Sequence, residues 1–206
     1  MHDGHGSVTV TDLEPGFLQR LEDDNLTVLR HDITADPLPE RHFDFAHVRW
    51  LLHHLPEPRS ALSAICKSLK PGGCLLAEEV DLAGVVPDLE TLPQAEAVFF
   101  KFLRTMRELL AMRGGNYHYG RQLLRDIRDT GFVDLGSHIR SSVGTADSPQ
   151  GGIWRLSMAA VREPALATGK LTQEDLDQLE TLASDPAFTW MGTTTVACWG
   201  RRPPAP

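Results

Sequence analysis

The chain has 206 residues, 41% of them hydrophobic, enough for one globular domain with a sizeable core. Its formal charge is −8 and its pI about 5.5, with Lys and Arg scattered. That balance excludes a nucleic-acid backbone or an anionic membrane surface as the main partner, since either demands clustered basic residues.

The opening MHDGHGSVTV has no charged-then-apolar export signal, and no apolar run approaches the ~18 residues of a membrane span. Cys66, Cys74 and Cys198 are an odd set with no C-x-x-C pairing, so they read as free thiols. Reduced cysteines point to the cytoplasm.

Residues 8–12, VTVTD, are β-branched and end in an acid, which predicts a short strand. Residues 14–21 follow as a helix, with Pro15 near its start and Phe17, Leu18 and Leu21 at helical spacing. A second strand over 26–32 again ends in an acid, and a third covers 43–49. Residues 58–69 place Ala61, Leu62, Ile65, Cys66 and Leu69 on one stripe of an amphipathic helix. Pro71-Gly72-Gly73 makes a turn into a fourth strand over 74–80. If Gly73 takes φ > 0, a side chain there harms folding.

This alternation with short connections is the pattern of a parallel α/β sheet with helices on both faces. Such sheets bind ligands beyond the C-terminal ends of their strands. Asp12, Asp32, Arg49 and the group Glu78, Glu79 and Asp81 all stand at or just past a predicted strand end.

Further on, residues 92–112 form a long helix with Ala95, Phe99, Phe102, Leu103, Met106 and Leu110 on its apolar face. Helices are also predicted over 119–130, 153–167 and 171–183, the last with Thr172 as cap and Glu174 close behind. Strands are predicted over 132–143 and 193–200, and 201–206 form a Pro-rich flexible tail. No repeat or linker separates a second domain.

Together these segments resemble the class I S-adenosylmethionine-dependent methyltransferases, small-molecule type, as found in actinobacteria and other high-GC bacteria. The matching stretches are VTVTDLEPGFL, LRHDITADPLPERHFDFAHVRWLLHHLPEP and ALSAICKSLKPGGCLLAEEVD, in the family's order and spacing. YGRQLLRDIRDTGF, GKLTQEDLDQLETLASDPAF and ACWGRRP extend the likeness over nearly the whole chain from Val8 onward. The resemblance implies a Rossmann-like, mostly parallel sheet, S-adenosylmethionine as cofactor and a small-molecule acceptor. It also implies a helical lid over 91–118, set above the strand C-termini, within one domain over 1–206. A homo-oligomer is compatible with it; nucleic acid, membrane and metal are not anticipated.

In the family the acid ending the second strand holds the cofactor ribose, which here implicates Asp12 with Leu13 beside it. A carboxylate accepts from two adjacent hydroxyls at once, although an Asp there also suits a helix N-cap. The acid after the next strand meets the adenine amino group, implicating Asp32, with Ile33 against the ring; a loop Asp opening a turn toward Pro37 is the other reading. Arg49 faces the methionine half of the cofactor. His54 stands as a catalytic proton acceptor, because imidazole titrates near working pH, or as a structural hydrogen-bond partner. Glu78, Glu79 and Asp81 border the acceptor or are merely solvated, and Tyr117, His118 and Tyr119 close a lid or pack.

One departure from the family pattern stands out. A first strand with a Gly-x-Gly-x-Gly loop belongs ahead of the strand ending at Asp12, where backbone amides approach the cofactor. Only Gly4-His5-Gly6 stands upstream, six residues from Asp12, where a helix needs ~10 or more. Without that strand, two sheet edges are left unpaired unless the Asp12 strand slides over to the 43–49 strand or a partner chain fills the gap. Met1 as an internal start of a longer enzyme is a further expectation, as is weak cofactor affinity. The alternatives to an active methyltransferase are a non-catalytic methyltransferase-like module acting through protein contacts and, more remotely, a nucleotide-binding oxidoreductase.

Overall fold

β-Branched residues set the first local structure. Val8, Thr9, Val10 and Thr11 favour extended backbone and form β1 (Val8–Asp12), which pairs in parallel with β2 (Leu26–Arg30). A computed structural model describes residues 6–21 and 23–205 of the chain, so the Gly4-His5 part of the upstream glycine pair lies outside the described residues. The connection β1 to β2 corrects one expectation. In place of a helix over 14–21 there is only a 3-10 turn, Pro15–Arg20. Phe17 is 66% exposed there, and a short apolar stripe with nothing to pack on does not sustain a helix.

A second sheet carries the main core. β3 (Phe43–Arg49) lies parallel to β4 (Leu69–Asp81), joined by α1 (Pro58–Ser68). β4 then pairs antiparallel with β9 (Thr194–Arg201), and β9 with β6 (Val133–Arg140), giving the order β3-β4-β9-β6. The sheet is therefore mixed: parallel among the N-terminal strands, antiparallel where the C-terminal strand inserts. Leu62 and Ile65 of α1, and Leu123 and Ile127 of α3 (Gly120–Asp129), bury against Val48, Leu75, Ala77 and Cys198. On the opposite face Phe45 and Trp199 stay 55% and 42% exposed, so the helix cover expected on both faces lies on one here, among the described residues.

The Lys70–Gly73 turn is absorbed into β4 as a bulge. Pairing passes from Phe43–Leu69 to Phe45–Cys74, leaving the intervening residues looped out. Gly72, not Gly73, takes the positive φ of +80°. Gly73 is needed for a different reason: a Cβ there would sit 2.9 Å from the Lys70 carbonyl oxygen and 3.2 Å from that of Asp44.

The C-terminal half builds a second core above the sheet. α2 (Pro93–Ala111), α4 (Pro149–Ala167) and α5 (Gln173–Ser184) enclose Phe99, Phe102, Trp154 and Leu179. A small antiparallel sheet of β5 (Val86–Pro87), β8 (Trp190–Met191) and β7 (Val143–Gly144) joins them. The strand expected over 132–143 is split into β6 and β7. α5 starts in a capping box of Thr172 with Asp175, not with the neighbouring Glu174, because the third residue of the helix is the one that reaches back. The tail is ordered further than expected: Arg201 completes β9, and the Arg202 guanidinium donates to the carbonyls of Lys67 and Leu69.

β1 does not slide over to β3. It keeps five paired positions with β2, and neither β1 nor β3 has a second strand partner among the described residues. Ile33 and Leu38, after β2, pack instead against the core that holds Val48 and Leu52. No described helix is long and apolar enough to cross a membrane.

Candidate functional site

The parallel pair brings the two expected cofactor acids together. Asp12 ends β1, and its carbonyl accepts from the His31 amide at 3.0 Å, which fixes Asp32 beside it at the same end of the pair. The Asp12 carboxylate accepts from the Glu14 amide at 2.8 Å with one oxygen; its other oxygen has no partner among the described residues. Asp32 uses Oδ1 for the Thr34 amide and hydroxyl, at 2.8 and 2.6 Å, and those bonds hold its carboxyl below the usual range. Its Oδ2 is likewise without a partner among the described residues. Leu13 is half exposed, Ile33 half-buried, and both ring nitrogens of His31 are buried with no hydrogen-bond partner.

β3 delivers Arg49 and Trp50. Trp50 has φ 52°, left-handed backbone that a bulky residue enters only under constraint, and its amide donates to the Glu78 carbonyl at 2.9 Å. The Arg49 guanidinium lies over the Trp50 ring, 5.1 Å from its centroid. Leu52–His54 then form a 3-10 turn.

Glu79 stabilises that turn. Fully buried, it accepts from the amides of Leu51 and Leu52 at 3.0 and 2.6 Å and from His53 Nδ1 at 2.7 Å. The other strand-end acids are engaged too. Glu78 meets His47 at 2.9 Å, and Asp81 takes Arg121 through two bonds of 2.6 and 2.8 Å, with His118 at 3.0 Å. Burial pushes the Asp81 carboxyl up, but the bonds from Arg121, His118 and the Ala83 amide outweigh it and hold it at about 2. These acids are structural; none faces the cavity described next.

His54 is only partly exposed and stacks on His53, with ring centroids 3.9 Å apart. Withdrawal of water from its ring, then the neighbouring His53, lower it to about 4 against the opposing pull of Glu79. It does not line the cavity. Tyr117 lies beside both rings, 5.3 Å from His53, while the Tyr119 hydroxyl donates to Asp126 at 3.2 Å in the core.

A cavity of about 400 Å³ opens between the C-terminal end of the sheet and α2 and α4, within the size range of small-molecule sites. Arg49 and Trp50 form one wall, and Phe102, Leu103 and Met106 of α2 another. Phe99 takes no part, being wholly buried and stacked on Trp154 at 4.6 Å. Trp154, Trp190 and Arg140 complete the enclosure. Sequence reading missed these three. They come from segments far apart in the chain, and no local pattern marks them as neighbours.

The fold is an α/β domain with its acids gathered at the C-terminal ends of parallel strands. Residues 1–77 match the family described as "Methyltransferase domain". Over 126 residues the chain is 32% identical to the ubiquinone/menaquinone biosynthesis C-methyltransferase UbiE of Laribacter hongkongensis, covering 58% of this chain and 50% of that one. Over 87 residues it is 32% identical to the methyltransferase str2 of Strobilurus tenacellus, covering 42% and 30%. The chain thus spans half or less of the length of these curated relatives. Its fold is shared with the Bacillus halodurans protein BH2331, at a TM-score of 0.57 and 16% identity over 96% of this chain and 83% of that one. It is also shared with a Haemonchus contortus phosphoethanolamine N-methyltransferase bound to S-adenosylhomocysteine, at 0.51 and 17% over 97% and 44%. The chain is thus similar to S-adenosylmethionine-dependent methyltransferases in the sequence of residues 1–77 and in its fold.

The residues present fit the nucleoside half of that cofactor. Two adjacent carboxylates each keep an uncommitted oxygen, and a buried imidazole lacks a partner at the same strand ends.

Proposed function

We propose that this chain acts as an S-adenosylmethionine-dependent methyltransferase on a small organic acceptor. The observation that carries the reading is the placement of Asp12 and Asp32 side by side at the C-terminal ends of parallel strands, each with a carboxylate oxygen to spare. When bound, the cofactor supplies a sulfonium methyl that leaves a neutral thioether on in-line attack.

The chain's own residues bind and orient. Asp12, beside Leu13, accepts the ribose hydroxyls; Asp32 accepts the adenine amino group, with Ile33 against the ring; Arg49 meets the amino-acid carboxylate. Residues 91–118 form the lid, and Phe102, Leu103 and Met106 within it line the cavity, keep water out and hold the acceptor in an attack geometry. His54 is the candidate proton acceptor; at about 4 it is neutral at pH 7 but weakly basic. The named relatives, one from ubiquinone/menaquinone biosynthesis, support a small organic acceptor. Free thiols at Cys66, Cys74 and Cys198 support a cytoplasmic setting, and a homo-oligomer remains part of the reading.

Titration calorimetry with S-adenosylhomocysteine tests this. Weak binding that Asp12→Ala reduces by about tenfold, the worth of a charge-assisted hydrogen-bond pair, supports the reading. No binding, or binding indifferent to Asp12→Ala and Asp32→Ala, overturns it.

A further inference from the structure

The cavity is asymmetric in charge. Its walls hold the two guanidiniums of Arg49 and Arg140 and no carboxylate, in a chain whose formal charge is −8. Arg140 has no carboxylate partner among the described residues. The register places it on the Arg49 side of the sheet. Arg140 pairs with Thr195, which pairs with Val80, so Arg140 shares the sheet face of Glu78 and Arg49, opposite the face covered by α1 and α3.

A second positive feature lies at the same end. α4 begins at Pro149, and Pro149 and Gln150, its first two residues, line the cavity. The N-terminus of this 19-residue helix therefore directs its positive end into the space beside Arg140. Ser148 caps the helix, and the Gln150 amide donates to the Ser142 hydroxyl, so the polar neighbours of Arg140 are neutral. The rest of the lining is aromatic and apolar at Phe102, Trp154 and Trp190, with the neutral hydroxyls of Ser157, Thr193 and Thr195 beside them.

The two ends are separated. With order β3-β4-β9-β6, Arg49 and Arg140 stand three strand spacings apart across the sheet and two residues apart along it, ~16 Å between backbones. The cavity of about 400 Å³ between them has room for a bicyclic aromatic acid.

We propose that the acceptor is a flat aromatic carboxylate, its anion held by Arg140 and the first turn of α4, its far end presented to Arg49 and Trp50. The assignment rests on the acceptor role given to this cavity above. It separates two carboxylates: the acceptor's at Arg140 and the cofactor's at Arg49.

Titration calorimetry of the intact chain with 6-hydroxy-2-naphthoate and with its neutral methyl ester decides it. The acid binds at least tenfold more tightly than the ester. Arg140→Gln brings the two within about twofold without weakening the ester, and Arg140→Lys restores part of the preference. Equal affinities, no binding of either compound, or a preference untouched by Arg140→Gln overturns the proposal. S-adenosylhomocysteine is titrated into the same variants. If Arg140→Gln weakens it as well, the anion at Arg140 is the cofactor's and the proposal falls. Failure of S-adenosylhomocysteine to bind the unmodified chain removes the methyltransferase reading and leaves the acid-over-ester preference standing or falling by itself.

Discussion

The carboxylate of Glu79 and the imidazole of His53 meet at 2.7 Å with both side chains essentially out of water. The contact joins the end of β4 to the turn that follows β3. Together with the amides of Leu51 and Leu52 it leaves the carboxylate fully coordinated inside the core. The strand-end turn that presents Arg49 and Trp50 is thereby tied to the sheet rather than left as a mobile loop.

Removing that acceptor is costly. Glu79→Ala leaves the buried Leu52 amide, the partly buried Leu51 amide and a buried ring nitrogen without this acceptor, and is expected to destabilise by about 3 kcal/mol in urea denaturation. Glu79→Gln keeps one acceptor oxygen and costs less. A Glu79→Ala chain with an unchanged midpoint would refute this account of the turn.

Stability should fall with acid in two windows. His54, at about 4 against 6.5 unfolded, takes up its proton more readily when unfolded, so its contribution is full above ~6.5 and is lost as pH drops toward 4. Asp81, at about 2 against 3.8, contributes fully above ~4 and loses that as pH drops through 2. Melting temperature against pH for His54→Asn should flatten the upper window, and Asp81→Asn the lower.

The same His54→Asn substitution measures catalysis. A general base contributes ~10²-fold or more, whereas a ring lowered to about 4 and outside the cavity lining should contribute less than ~10-fold. A drop in turnover of 10²-fold or more with cofactor binding intact would identify His54 as the base.

Gly144 is small because Trp190 lies across it. An added Cβ overlaps the indole that faces it from β8. That indole is packed against Phe188 at 5.2 Å and Trp154 at 5.7 Å, so the cavity is the one direction in which it can shift. Gly144→Ala should cost about 1–3 kcal/mol by overpacking and narrow the cavity wall, read by urea midpoint and near-ultraviolet dichroism. Gly152→Ala, inside α4 with open space around it, serves as the control: it should leave the dichroism unchanged and raise the midpoint slightly through helix propensity, by at most ~1 kcal/mol.

What the sequence determined by itself was local and periodic. β-Branched runs ending in acids placed β1 and β2 with Asp12 and Asp32 at their tips, and the stripe from Ala61 to Ile65 placed α1 on the sheet. Such features survive in one dimension because strand and helix periods depend on near neighbours. Tertiary structure decided what depends on distant partners. It placed Glu79 under the Leu52–His54 turn, bonded Asp81 to Arg121, and left the 14–21 segment as a 3-10 turn for want of a surface to pack on. It also inserted β9 between β4 and β6, bringing Arg140 onto the face that holds Arg49. That last pairing is set by backbone hydrogen bonds between strands about sixty residues apart in the chain, and nothing in either strand's own pattern encodes which neighbour it will find.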